Sequence, residues 1–199
     1  TTWSAFVAAA TWAISSSVWL KSSYLMSGRR PGGSTIASTL GGRLARSRAK
    51  LSGTFMHIAG DWARGVKEAG ADGIASSDAL GPALSIDIRT GQPKLGGPRG
   101  IGGLTGPAIM PIALRMVLDI AQAIDLPIIG VGGVGSASDV VEYLMAGATL
   151  VGVCTAGHLK GPARYTRLLR DLEALLAELG VSSPADVRGL ALRRIRERK

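Results

Sequence analysis

Two glycines, Gly132 and Gly133, follow a continuous apolar run from Pro127 to Val131 and precede a run of helical spacing. With no side chains to cover them, their peptide N–H groups can converge on a phosphate, with a helix N-terminus behind. A second apolar run, Thr149 to Cys154, ends at Cys154-Thr155, where the threonine hydroxyl can donate to the same anion. A glycine pair can also do no more than permit a tight turn. Two such turns at successive strand ends favour the phosphate, because barrels often hold one with their last two strand-end loops. Lys50 closes a short predicted strand over 46–51. A fixed ammonium there could stabilise developing negative charge, or the residue could be a solvated lysine in a basic stretch. His158 follows the second turn and could face a ligand, whereas His57, near a helix start, reads as structural. Cys154 reads as a small buried apolar side chain rather than a reactive thiol. Asp139 and Glu142 fall on the solvent side of a helix and receive no role.

The elements that must position these residues alternate. A helix is predicted over 57–69, with Ile58, Trp62 and Val66 on one side and Gly70 as its stop. Residues 71–77 read as a strand. Leu84, Ile86 and Ile88 alternate with polar residues as a half-buried strand does, and Thr90-Gly91 turns it. Six glycines between 96 and 106 imply a mobile loop or one that passes close to a ligand. Pro107 opens a helix whose stripe is Ile109, Ile112, Ala113, Met116, Val117, Ile120 and Ala121. The runs 127–131 and 149–154 read as strands covered on both faces. Ser136 or Ser138 caps the helix between them. A leucine-rich helix spans about 162–179, and Ser183-Pro184 caps a last short one. The order β-α-β-hairpin-α-β-α-β-α predicts a parallel sheet with helices outside. No strand–GxGxxG–helix unit appears, which favours a barrel over an open sheet. Eight strands need about 250 residues. The expected fold is therefore α/β, the C-terminal portion of a TIM (β/α)8 barrel, incomplete. Residues 46–192 form that half-barrel, 1–45 an atypical Ser/Ala/Arg-rich segment, and 193–199 a basic tail.

Composition excludes several classes. The chain has 199 residues, one cysteine, two histidines and a formal charge of +9. One cysteine rules out an internal disulfide and a four-cysteine zinc site, and the two histidines leave little for a transition metal. The expected metal complement is none. The charge is unevenly spread: residues 1–60 carry seven basic residues and no acid, and 193–199 carry five basic residues against Glu197. The body between them is slightly acidic. Basic ends without interleaved aromatics argue against a nucleic-acid face. The first twenty residues are uncharged but rich in Ser and Thr, with no basic stretch before them, so neither a membrane span nor a signal peptide is expected.

Five segments carry a resemblance: ADGI (71–74), SIDIRTGQPKL (85–95), GGLTGPAIMPIALRMV (102–117), LPIIGVGGV (126–134) and AGATLVGVCTA (146–156). Together and in this order they resemble the dihydroorotate dehydrogenase family, class 1-like, and the related pyrimidine-site domain of dihydropyrimidine dehydrogenase. The resemblance covers about residues 46–190 and implies an FMN-binding eight-fold barrel. By that resemblance Lys50 contacts the flavin N1/O2 edge and acts in catalysis. Gly106 packs near the ring, Gly132 and Gly133 form the phosphate loop, and Cys154 and Thr155 complete it. It also implies a cytoplasmic enzyme of pyrimidine biosynthesis, with hydride passing from a dihydropyrimidine to the flavin.

Two departures stand out. The family's base lies in an Asn-x-Ser-Cys-Pro loop, whereas this chain reads AISSSVWLKS over 13–22. Ser16 falls near the expected place, with Ser15 and Ser17 as equal candidates. The family grips its pyrimidine with asparagines, and this chain contains none. Asp78 stands where Asn is usual, and its charge would repel an orotate carboxylate. The alternatives are a non-catalytic half-barrel that binds a phosphate ligand or serves as a subunit fragment, and a flavin-dependent tRNA-modifying relative. A half-barrel exposes two sheet edges, so self-association or a partner subunit is expected.

Overall fold

The computed structural model describes residues 48–198, and the expectations placed on 1–45 and on Ser16 lie outside them. Four strands form one sheet in the order β1-β2-β5-β6. They are β1 (Arg48–Leu51), β2 (Gly73–Ser76), β5 (Ile128–Val131) and β6 (Leu150–Gly152), and every pairing is parallel. Parallel neighbours need crossovers, and helices supply them. They are α1 (Ala59–Glu68), α2 (Met110–Ala123) and α3 (Ala137–Met145). The short α4 (Thr155–Lys160), the long α5 (Ala163–Glu178), α6 (Pro184–Val187) and α7 (Leu190–Glu197) follow. A parallel sheet whose strands are joined through helices is the arrangement found in part of an α/β barrel. The basic tail is mostly the end of helix α7. Among the described residues no helix is long and apolar enough to cross a membrane.

The helices bury the predicted stripes. Ala113, Met116, Val117 and Ile120 of α2 are at most 2% exposed and pack in one cluster with Ile74 and Ile128 from the sheet. Leu168, Leu172 and Leu176 extend that cluster along α5. Each of these side chains except the small Ala113 contributes about 1.5–3 kcal/mol by leaving water. Strand alternation then sets the other face. Ala75, Ile129 and Val131 are only half-buried, so β2 and β5 are fully covered on one face, and β6 is half-buried at all three of its residues; the apolar runs had implied cover on both faces. The second face is the one a barrel interior would take.

The hairpin differs from expectation. Its strands are β3 (Leu80–Leu84) and β4 (Ile101–Leu104), paired antiparallel. Ile86 and Ile88 lie beyond them and are 48% and 95% exposed, so their alternation does not mark a half-buried strand. Thr90-Gly91 does lie in a turn, closed by the Asp87 carboxylate, which accepts from Arg89 N at 2.8 Å and Thr90 N at 3.2 Å. The glycine-rich stretch supplies β4 and is not simply a loop. A Cβ on Gly103 would lie 2.8 Å from the Ala79 Cβ, so its smallness permits the close strand approach.

Candidate functional site

Because the four strands are parallel, their C-terminal ends share one edge. Register pairs Lys50 with Ala75, Leu51 with Ser76, Ser76 with Gly130, and Val131 with Gly152. The residues just past Val131 and Gly152 therefore leave adjacent strands side by side. Gly132-Gly133 form one turn and Cys154-Thr155 the other. Gly106, at the head of the 3₁₀ turn Pro107–Ile109 that leads into α2, joins them. A Cβ on Gly106 would stand 3.5 Å from the Thr155 Cγ2, and a Cβ on Gly133 would stand 2.8 Å from the Gly106 carbonyl oxygen. Gly133 has φ +74, which favours glycine. Five of the residues singled out in the sequence thus converge: Gly106, Gly132, Gly133, Cys154 and Thr155.

Three side chains that the sequence reading passed over hold this edge. The Tyr143 hydroxyl donates to the Gly132 carbonyl at 2.7 Å, and its ring lies against Gly130. Burial pushes its phenol well above the ordinary tyrosine value, with the nearby charges of Asp139 and Glu142 acting the same way. The Asp139 carboxylate is not merely solvated, as had been expected of it. It accepts from Gly135 N at 2.8 Å and Ser136 N at 2.9 Å, while Ser136 Oγ accepts from Asp139 N. This capping box selects Ser136 over Ser138 as the cap of α3. Arg164, near the start of α5, donates through Nη2 to the Gly135 carbonyl. The Ser-x-x-Asp spacing of 136–139 was the legible signal. Nothing local marks Tyr143 or Arg164.

At the other two strand ends, Lys50 Nζ lies 3.5 Å from Asp78 Oδ2. Asp78 Oδ1 also accepts from Gly53 N at 3.4 Å. Ser76 and Ser77 are buried beside them, and Ser77 Oγ donates to the Val131 carbonyl at 3.2 Å. Ser77 therefore ties the β2 end to the β5 end, and a Cβ on Gly132 would meet its hydroxyl at 3.3 Å. The Ser76 hydroxyl is buried with no hydrogen-bond partner among the described residues. Cys154 is exposed, which overturns its reading as a buried apolar side chain. The reason is its place in the turn: it precedes α4 instead of lying inside β6. His57 and His158 are both exposed, His57 in a 3₁₀ turn and His158 on α4. Among the described residues no group of three or more His, Cys, Asp or Glu side chains could hold a metal ion.

The donor set suits an oxyanion. It offers a glycine turn and a threonine at the start of α4, and the Asp139 carboxylate is already engaged by Gly135 N and Ser136 N.

A protein-family model described as Dihydroorotate dehydrogenase matches residues 49–176. The "Dihydroorotate dehydrogenase B (NAD(+)), catalytic subunit" of Methanothermobacter thermautotrophicus is 44% identical over 125 residues, 63% of this chain and 41% of that protein. The like-named subunit of Exiguobacterium sibiricum is 44% identical over 142 residues, 71% of this chain and 44% of that protein. The chain thus spans about two fifths of the length of these relatives. The crystal structure of DHODH from Eimeria tenella in complex with ferulenol superposes with a TM-score of 0.61. It shares 22% identity and covers 76% of this chain and 40% of that one, so the likeness is one of fold.

Proposed function

This chain belongs to the dihydroorotate dehydrogenase family, and from that premise we propose that its strand-end turns hold FMN as part of an oxidoreductase site for a dihydropyrimidine. One observation carries the reading: the 132–133 and 154–155 turns leave neighbouring parallel strands with Gly106 between them. The residues present fit the phosphate end of that group. Gly132, Gly133 and Thr155 would hold the phosphate, with the Cys154 backbone beside them and Gly106 toward the ring. When bound, the flavin supplies the hydride-accepting chemistry. Lys50 is at the shared strand edge, where its ammonium would offset negative charge at the ring edge. Ser16 is the proposed proton acceptor.

The absorbance spectrum of the purified chain tests this. Uptake of added FMN, with flavin bands between about 350 and 500 nm that survive gel filtration, is expected. A chain that remains colourless after incubation with FMN removes the proposal. A second reading, a phosphate-ligand half-barrel without turnover, draws on the Lys50–Asp78 pair, which partly neutralises the one lysine proposed for chemistry. Flavin uptake without dye reduction by any dihydropyrimidine would favour it. The outer strands β1 and β6 need covering, and we propose a second copy or a partner subunit for that role. Solution sizing that returns a flavin-loaded monomer would refute this part. The proposed location is the cytoplasm.

A further inference from the structure

Parallel register sets Leu51 of β1 against Ser76 of β2. Lys50 and Asp78 therefore stand at the same edge of the sheet, with Lys50 Nζ 3.5 Å from Asp78 Oδ2. The other carboxylate oxygen, Oδ1, accepts from Gly53 N at 3.4 Å. That amide opens the 3₁₀ turn Gly53–Ile58, which follows β1. The same turn is fastened to the start of the hairpin by Thr54 Oγ1, which donates to the Gly81 carbonyl at 2.9 Å. A Cβ on Gly53 would lie 2.9 Å from Leu80 Cδ2 and 3.3 Å from the Ala79 carbonyl oxygen, so the turn is pressed against the segment that carries Asp78. Asp78 thus holds the ammonium with one oxygen and the backbone beyond it with the other, and its charge is fixed in place.

An ammonium so placed has two claimants. Reduced flavin carries negative charge at its ring edge, and a cation beside that edge favours the reduced form. A carboxylate on the same cation opposes this twice: it cancels part of the cation's field, and it draws Nζ toward itself. We infer that Asp78 is a positioning residue that acts through Lys50, setting how much of the ammonium's charge reaches the flavin and keeping the bound flavin harder to reduce than Lys50 alone would make it.

This inference rests on the flavin reading, and the experiment separates the two. The FMN-loaded full chain is titrated with sulfite, which adds to oxidised flavin, bleaches its visible band and leaves negative charge on the ring. Wild type, Asp78→Asn, Asp78→Glu, Lys50→Gln and the Lys50→Gln/Asp78→Asn double variant are compared. Reduction potentials of the same proteins are measured against reference dyes, so neither readout needs turnover. Asp78→Asn should bind sulfite about fivefold more tightly, and its potential should rise by the matching amount, about 20 mV for a two-electron couple. Asp78→Glu restores the carboxylate and should return both values toward the wild type, a rescue that a merely structural role would not give. In the Lys50→Gln background, Asp78→Asn should change sulfite affinity by less than about twofold, because the residue it acts through is gone. Equal sulfite affinity and equal potential in wild type and Asp78→Asn overturn the inference and leave the flavin reading standing. An undiminished effect in the Lys50→Gln background overturns it as well, since Asp78 then acts by its own charge. If Asp78→Asn does not fold, Asp78→Ser takes its place with the same expectations. A wild type that takes up no FMN ends the flavin reading and this inference with it.

Discussion

The Lys50 ammonium lies 3.5 Å from the Asp78 carboxylate, at the strand edge where β1 and β2 end. The two side chains are 39% and 34% exposed, so water screens the pair and its loss costs at most about 1 kcal/mol. Asp78→Asn keeps the shape and removes the charge. Its urea midpoint should stay nearly that of the wild type. Orotate, an anionic pyrimidine, should bind the FMN-loaded variant about fivefold more tightly, because a like charge has gone. Equal orotate affinity in equilibrium titrations of the two proteins would show that Asp78 does not select by charge.

Gly133→Ala should destabilise by roughly 2–3 kcal/mol in urea denaturation, adding left-handed strain to overpacking. The new Cβ would lie 2.7 Å from the Met110 Cβ and 2.8 Å from the Gly106 oxygen. Gly180→Ala is the control. Its φ is +67 with nothing within 4 Å, so it should cost only about 1 kcal/mol. FMN uptake should be lost in the first variant and kept in the second.

Tyr143→Phe leaves the Gly132 carbonyl without its 2.7 Å donor and should cost about 1–2 kcal/mol. The variant also tests a pH effect. The folded-state phenol titrates above its ordinary value of 10.0, mainly through burial. Its contribution to stability is therefore complete below that pH and is lost as pH rises from there toward the folded value, because the unfolded chain releases its proton first. Between pH 10 and 12, the stability of Tyr143→Phe should fall less steeply than that of the wild type. Parallel slopes in urea melts would exclude this role for the buried phenol.

Ser136→Ala removes the cap that accepts from Asp139 N and should cost about 1 kcal/mol. Ser138→Ala removes an exposed hydroxyl outside the capping box and should change stability by less than about 0.5 kcal/mol. Paired thermal melts distinguish them.

The order of elements was legible because local signals agree: apolar runs 127–131 and 149–154 for strands, the 109–121 stripe for a helix, and Gly70 and Gly180 for stops. The hairpin was misplaced because the alternation of Leu84, Ile86 and Ile88 runs past the end of β3 at Leu84: Ile86 makes only an isolated bridge to Pro93, and Ile88 is 95% exposed. Alternation records which side a residue faces and not whether anything lies there to cover it.

By itself the sequence determined the strand-end glycine turn, the second turn at Cys154-Thr155 and the family to which they point. These are local patterns, carried by residues a few positions apart. Only the tertiary structure decided that Gly106 meets both turns, that Asp78 pairs with Lys50, that Tyr143 holds Gly132, and that Arg164 reaches Gly135 across 29 positions. The pairings across the strand edge are created by the parallel register of the sheet, and a register is a property of several strands together that no single window of sequence contains.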